Sequence, residues 1–299
     1  MSSINGQASI ETNKVLSKII EELMEYFPAP AKVNLFLRVI GRREDGYHDL
    51  QTVFRFIDLS DSIGLRVTDS GVVRRISDQP WRDEDDLAVK AAKLLQQVTG
   101  SQYGVDLDII KRVPVGGGLG GGSSDAATTL IMLNRLWRLD MSRAQLCVLS
   151  KTLGADVPFF IYGQSAFAGG IGDKLSAVEL SDAVYLVVYP NCFVSTAQIF
   201  SDPELTRNSK PIKIADFSQY EGQNDLQNTV CRLHPEVGAA ISWLEDYGKP
   251  FMSGSGSSVV CSFDSIEGAL DVMNVAPKAW TVHVTQGVDQ HPLSSWLVK

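Results

Sequence analysis

The segment Pro114-Val-Gly-Gly-Gly-Leu-Gly-Gly-Gly-Ser-Ser-Asp125 constrains this chain more than any other. It stands between two patterned runs. Before it, Val105, Leu107 and Ile109 alternate with Asp106 and Asp108 as in a half-buried strand; after it, Ser124–Trp137 has helical periodicity. Glycines let a backbone approach a ligand closely and turn its N–H groups inward, and a following helix N-terminus adds partial positive charge. A loop of this composition in this place suits phosphate oxygens. It does not fit the P-loop, because Ser123 stands where that motif requires lysine. Gly116, Gly118 and Gly121 satisfy G-x-G-x-x-G, but the preceding strand carries aspartates where a dinucleotide-binding strand, buried on both faces, is continuously apolar. A flexible linker is disfavoured by the proline before the glycines and by two serines placed to cap the helix after them.

The rest of the chain has room to support such a loop. Its 299 residues, 44% hydrophobic and 21% charged, suffice for about two domains that each bury a core. With 27 basic against 35 acidic side chains the net charge is −8, which argues against nucleic acid as a partner. Apolar runs such as Val184–Tyr189 fall far short of the roughly 20 residues of a membrane span. The first 26 residues lack a signal-peptide core and contain glutamates but no arginine, so a cytoplasmic chain is expected. Cys147, Cys192, Cys231 and Cys261 are widely spaced, as buried reduced thiols would be. No obligate protein partner is inferred.

Periodicity predicts a helix over about 12–26, ended by Pro28 and Pro30, and then a strand over Lys32–Ile40. In that strand Val33, Leu35, Leu37 and Val39 share one face, and Lys32, Asn34, Phe36 and Arg38 the other, so Lys32 and Asn34 stand side by side. Further strands are predicted at Gln51–Leu59, Ser62–Val67, Gly71–Ile76, Phe159–Tyr162, Ala166–Ala168, Val184–Tyr189, Ser258–Phe263 and Trp280–Thr285. Helices are predicted at Leu87–Thr99, Ser124–Trp137, Arg143–Leu153, about 225–247 and Ile266–Val275; Ser142 and Gln145 form a capping-box signature. The whole reads as α+β, with an extension over 1–26 and units over 27–172 and 173–299.

Lys32 lies on the more polar strand face, and Asp156 follows a helix end in Gly-Ala-Asp-Val-Pro. Together they fit a phosphoryl-transfer pair, a carboxylate that takes the acceptor hydroxyl's proton and a cation that steadies the developing alkoxide. Tyr47 and His48 stand in a turn, where an aromatic face can stack on a base and an imidazole can hydrogen-bond its edge.

The glycine loop resembles the ATP-phosphate loop of the GHMP kinases. Pro30-Ala-Lys-Val-Asn-Leu-Phe-Leu resembles that family's first motif, and Met252-Ser-Gly-Ser-Gly-Ser-Ser its third. Gly46-Tyr-His-Asp-Leu-Gln-Thr-Val-Phe and Leu153-Gly-Ala-Asp-Val-Pro-Phe-Phe resemble the branch acting on 4-diphosphocytidyl-2-C-methyl-D-erythritol in the non-mevalonate isoprenoid route. The resemblance runs from about Pro28 to the C-terminus. It implies a two-domain GHMP fold, with an ATP-binding ribosomal S5 domain 2-like N-terminal domain and a ferredoxin-like C-terminal domain that contributes to substrate binding. It further implies ATP and Mg²⁺ as cofactors and that small molecule as substrate, phosphorylated at its 2-hydroxyl.

By the same resemblance Lys32 and Asp156 are catalytic. Pro114, Gly116, Gly117, Gly118, Leu119, Gly120, Gly121, Gly122, Ser123 and Ser124 hold ATP, and Ser124 also reaches magnesium. Tyr47 and Phe200 stack on the cytosine, His48 contacts it, and Asn34 and Thr196 line the pocket. Asp86 falls where the family tends to carry asparagine near the adenosine. Other GHMP substrates such as homoserine or mevalonate, a dinucleotide-dependent oxidoreductase, and a nucleotide-binding module without turnover are the alternative readings.

Overall fold

The computed structural model describes residues 24–297. The expected helix over 12–26 and the N-terminal extension thus lie mostly outside the described residues. Its last residues do not: Glu25 and Tyr26 open strand β1 (Glu25–Arg42), and Pro28 and Pro30 sit inside it. Proline is tolerated there because this end of β1 pairs with one strand only, β2 (His48–Thr68), placing Pro28 opposite Ser62 and Pro30 opposite Ser60.

β2 is one strand where two runs are expected. It is long enough to change its other partner along its length: β5 (Ala166–Gly169) meets Thr52–Phe54, the end of β10 (Thr281–Val288) meets Phe56 and Ile57, and β4 (Gly104–Ile110) meets Ser62–Thr68. The polar Ser60-Asp61-Ser62 looks like a turn, yet Asp61 is buried, paired with a lysine described below. Strand β3 is shorter than expected, Val73–Arg75, and β6 (Lys174–Ala177) pairs with β5 unannounced by its sequence. Beyond β10 lie β7 (Val184–Tyr189), β9 (Val259–Phe263) and β8 (Phe251–Met252), giving the order β3-β4-β2-β10-β7-β9-β8.

Period two holds on β2, where Phe54 and Phe56 face one core and Val53 and Ile57 another. It fails on β1. A bulge between Asn34 and Leu37 shifts the register, so Phe36 joins Val33 and Leu35 in a core while Leu37 and Val39 join a different one.

Helices α1 (Leu87–Thr99), α2 (Gly121–Leu136) and α4 (Val157–Tyr162) contribute buried side chains to the core with Phe54 and Phe56, as does Leu146 of α3 (Arg143–Ser150). The capping box at Ser142 and Gln145 is formed. α4 replaces the strand expected at Phe159–Tyr162. Four apolar residues carry no period of their own, and Pro158 fits a first helical turn, which buries Phe159 against Phe56 with ring centroids 4.5 Å apart. Helix α5 (Thr196–Ser201) follows β7. The single helix expected over 225–247 is two, α6 (Gln227–Leu233) and α7 (Pro235–Leu244), because Pro235 drives His234 out of helical backbone, to φ −132°, ψ 82°. α8 (Ile266–Asn274) packs on β10, β7 and β9.

Candidate active site

The glycine loop ends in Gly120 with left-handed backbone at φ 73°, which starts α2 at Gly121. Ser123 and Ser124 therefore lie in the first helical turn and do not cap it. The first intrahelical bond runs from Ser124 N to Gly120 O at 2.9 Å, so the N–H groups of Gly121, Gly122 and Ser123 are left to a ligand. Gly118 is pressed against the segment after β8: a Cβ there would lie 2.2 Å from the Ser253 carbonyl, at φ +74°. Side chains at these positions would collapse the contact that shapes the loop.

One cavity of about 830 Å³ opens over the loop. Lys32, Asn34, Tyr47, His48, Gly116, Gly118, Gly120, Ser123, Asp156, Thr196 and Phe200 line it, so both expected catalytic residues and all five expected substrate residues meet in one space. Pro114, Gly117, Leu119, Gly121, Gly122 and Ser124 are not on its wall. Two of them are buried behind it: the Leu119 carbonyl accepts Lys32 N at 2.9 Å, and the Gly117 carbonyl accepts Ser258 N at 3.0 Å.

Lys32 is buried, with its ammonium nitrogen 3.4 Å from Asp156 Oδ2. The same nitrogen donates to Asn34 Oδ1 at 2.5 Å and to the Gly118 carbonyl at 3.2 Å, and it sits 5.2 Å from the centre of the Phe54 ring. Three parts of the chain, the first strand, the glycine loop and the start of α4, are thereby tied to one charge. Asn34 is fixed in turn by Thr52 Oγ1, 2.9 Å from its Nδ2, and its backbone N–H donates to Ser253 Oγ at 3.1 Å. Asp156 precedes α4 but accepts no backbone cap bond, which leaves its carboxylate, with a third of the side chain exposed (32%), facing the cavity.

At the other end His48 lies against Phe200, ring centroids 4.9 Å apart and 31° from parallel, while Tyr47 stands 60% exposed at the rim. Burial lowers the His48 pKa, and the cations of Arg207 and Arg42 push the same way, so the imidazole is neutral at pH 7. Thr196 Oγ1 and Ser255 Oγ are 2.6 Å apart across the mouth.

Asp86 takes no place in this wall. It caps α1, accepting from Ala88 N at 2.9 Å and Val89 N at 3.3 Å, and pairs with Arg75 at 2.9 Å and with the Trp81 indole. Several wall or bracing residues carried no separate signal: Thr52, Ser253 and Phe193, whose ring would meet a Cβ on Gly116 at 2.6 Å. The glycine-serine run after Met252 was the one sign of Ser253. Among the described residues no group of three or more His, Cys, Asp or Glu is placed to hold a metal, and no helix is long and apolar enough to cross a membrane.

Known proteins resemble this chain over most of its length. Residues 86–164 match the model of the GHMP kinases N terminal domain. A 4-diphosphocytidyl-2-C-methyl-D-erythritol kinase of Nitrosomonas eutropha is 51% identical over 91% of this chain and 100% of its own length. The protein of the same name from Azoarcus sp. is 49% identical over 89% of this chain and 95% of its own length. A crystal structure of 4-(cytidine 5'-diphospho)-2C-methyl-D-erythritol kinase superposes with a TM-score of 0.77 at 33% identity, covering 88% of this chain and 100% of the other. Mevalonate kinase of Methanococcus jannaschii, 13% identical with a TM-score of 0.65 over 89% of this chain and 99% of its own, shares the fold. The chain belongs to the GHMP kinases, and within them to the 4-diphosphocytidyl-2-C-methyl-D-erythritol kinase family.

Proposed function

We propose that this protein transfers the terminal phosphoryl group of ATP to the 2-hydroxyl of 4-diphosphocytidyl-2-C-methyl-D-erythritol, giving the 2-phosphate and ADP, a step of non-mevalonate isoprenoid synthesis. The observation that carries the reading is the Lys32–Asp156 pair, 3.4 Å apart, in a single cavity with a glycine loop and with the His48–Phe200 shelf. The N–H groups from Gly121 to Ser123 receive phosphate oxygens, and Asn34 and Thr196 line the way to the nucleobase. Asp156 orients the acceptor hydroxyl and accepts its proton. Lys32 stands beside both that oxygen and the loop, where negative charge develops during transfer. Its fixed position, held by Asn34 and the Gly118 carbonyl, means that little reorganisation accompanies the reaction.

The residues present fit magnesium in one respect: Ser124 Oγ is fully buried with no hydrogen-bond partner among the described residues. Ser124 would hold the ion together with nucleotide oxygens, and the ion, when bound, would neutralise phosphate charge. We read 27–172 as the ATP-binding unit and 173–299 as a unit contributing to substrate binding. Two packing features bear on that division: Leu293 and Leu297 return to the first core, and Leu37 and Val39 reach into the second.

The test is ADP release from Mg-ATP with a panel of diphosphocytidyl-methylerythritol, homoserine, mevalonate and galactose. Release with the cytidylyl compound alone is the expected result. Release with another acceptor instead would keep the kinase and discard the cytosine pocket, and silence throughout would leave a nucleotide-binding module.

A further inference from the structure

His48 is held by a residue from a polar stretch with no evident motif. Arg207 Nε donates to His48 Nε2 at 3.1 Å. The remaining guanidinium nitrogens are engaged with backbone carbonyls: Nη1 with Leu205 at 3.1 Å, Nη2 with Phe200 at 2.9 Å and Asp202 at 2.6 Å. The arginine therefore has no freedom to turn its Nε elsewhere without breaking several bonds at once.

A guanidinium has donors only, so the atom it meets must offer a lone pair. Nε2 of His48 is that atom, and a neutral imidazole with a bare Nε2 carries its proton on Nδ1. Nδ1 has no hydrogen-bond partner among the described residues, and His48 lines the cavity. The same side chain also fixes the carbonyl of Phe200, whose ring lies against the imidazole. Shelf and donor are thus set by one residue.

We propose that Arg207 is a positioning residue that locks His48 in its Nδ1–H tautomer, so that the nucleobase subsite presents a fixed donor and selects cytosine over uracil. Cytosine offers acceptors at N3 and O2, whereas uracil carries a hydrogen on N3. A fixed donor pairs with cytosine N3 but opposes the N3–H of uracil, leaving two donors facing each other and a buried group unpaired. The selectivity half of the inference rests on the cytidylyl substrate proposed above; the tautomer half does not.

Long-range ¹H–¹⁵N correlation of the imidazoles in the full-length labelled protein at pH 7.5 reads the tautomer directly, with His48→Gln assigning the signal. Competition by CDP and UDP against the cytidylyl substrate reads the selectivity. The lock predicts a protonated Nδ1 and bare Nε2 at His48, with CDP competing at least about tenfold more tightly than UDP, the scale of one hydrogen bond. Arg207→Met should lose both properties, and Arg207→Lys, which keeps a donor, should lose less of each. A His48 spectrum with the proton on Nε2 overturns the lock even where CDP is preferred. A folded Arg207→Met protein that keeps the full preference overturns it too. Should Arg207→Met fail to fold, the wild-type spectrum and Arg207→Lys still decide. An Nδ1–H spectrum with CDP and UDP competing equally would overturn the selectivity alone, the acceptor panel deciding the cytidylyl reading.

Discussion

Consecutive glycines of the phosphate loop touch two lysine–carboxylate groupings that could hardly differ more in use. A Cβ on Gly120 would lie 3.1 Å from Lys32 Cε, and one on Gly121 would lie 3.3 Å from Asp61 Oδ2. On the Gly120 side one ammonium faces one carboxylate, and that carboxylate opens to the cavity. On the Gly121 side the Lys111 ammonium meets two aspartate side chains, Asp61 and, at 2.7 Å, Asp125. Asp61 also accepts Arg112 N at 2.6 Å and Val113 N at 2.8 Å, and its side chain is wholly enclosed. The first grouping keeps a face open to the cavity for a reactant; the second is closed off from it, with Asp125 Oδ1 buried and unpartnered among the described residues, and pins the strand before the loop to the helix after it. A lysine–aspartate pair is chemistry or scaffold according to whether a reactant can reach it, not according to its residue types.

This contrast can be broken at its sealed end first. Asp61→Asn should leave the half-buried Lys111 short of a partner and weaken two backbone bonds. Removing one member of a buried pair costs about 3–5 kcal/mol, so urea unfolding should show a loss of that size. A loss below about 1 kcal/mol would mean that the grouping does not brace the loop.

A change of the opposite sign is expected at Asp125. Burial is the main cause that pushes its pKa up, to about 8; Asp61 adds to the rise and Lys111 opposes it. Asp125 therefore carries its proton at pH 7 in the folded chain but not in the unfolded one, where the ordinary value is near 3.9. The folded state binds the extra proton, so this group's contribution to stability is full below about pH 4 and is lost as pH rises through about 8. Asp125→Asn, which mimics the protonated form and so removes the proton that folding must take up at pH 7, should be more stable than the wild type at pH 7 and flatten that part of the pH profile. An unchanged profile would place the proton elsewhere in the grouping.

Much of the open side was legible in the sequence and little of the sealed side. The glycine run, Lys32, Asp156 and His48 stand in patterned or motif-bearing segments, and the cavity brings them together. Phe200 and Thr196 were placed by resemblance alone. Asp61 was lost because Ser-Asp-Ser between apolar runs has the look of a turn, and only a lysine fifty residues away turns it into strand. Arg207 was lost in a polar stretch because the partner that gives it meaning, His48, lies on a strand far back in the chain. The switch of Phe36 and Leu37 to different cores, and the helix at Phe159, were decided by a bulge and by packing against Phe56, neither of which a local period records.

The measurement that bears most directly on the account is turnover of Asp156→Ala under saturating Mg-ATP and cytidylyl substrate, taken with its unfolding temperature. Asp156 caps no helix with its side chain and is part-exposed, so folding should be unchanged while kcat falls by at least about a hundredfold. Near-normal turnover in a folded Asp156→Ala protein would contradict the assignment of the open pair as the reacting one.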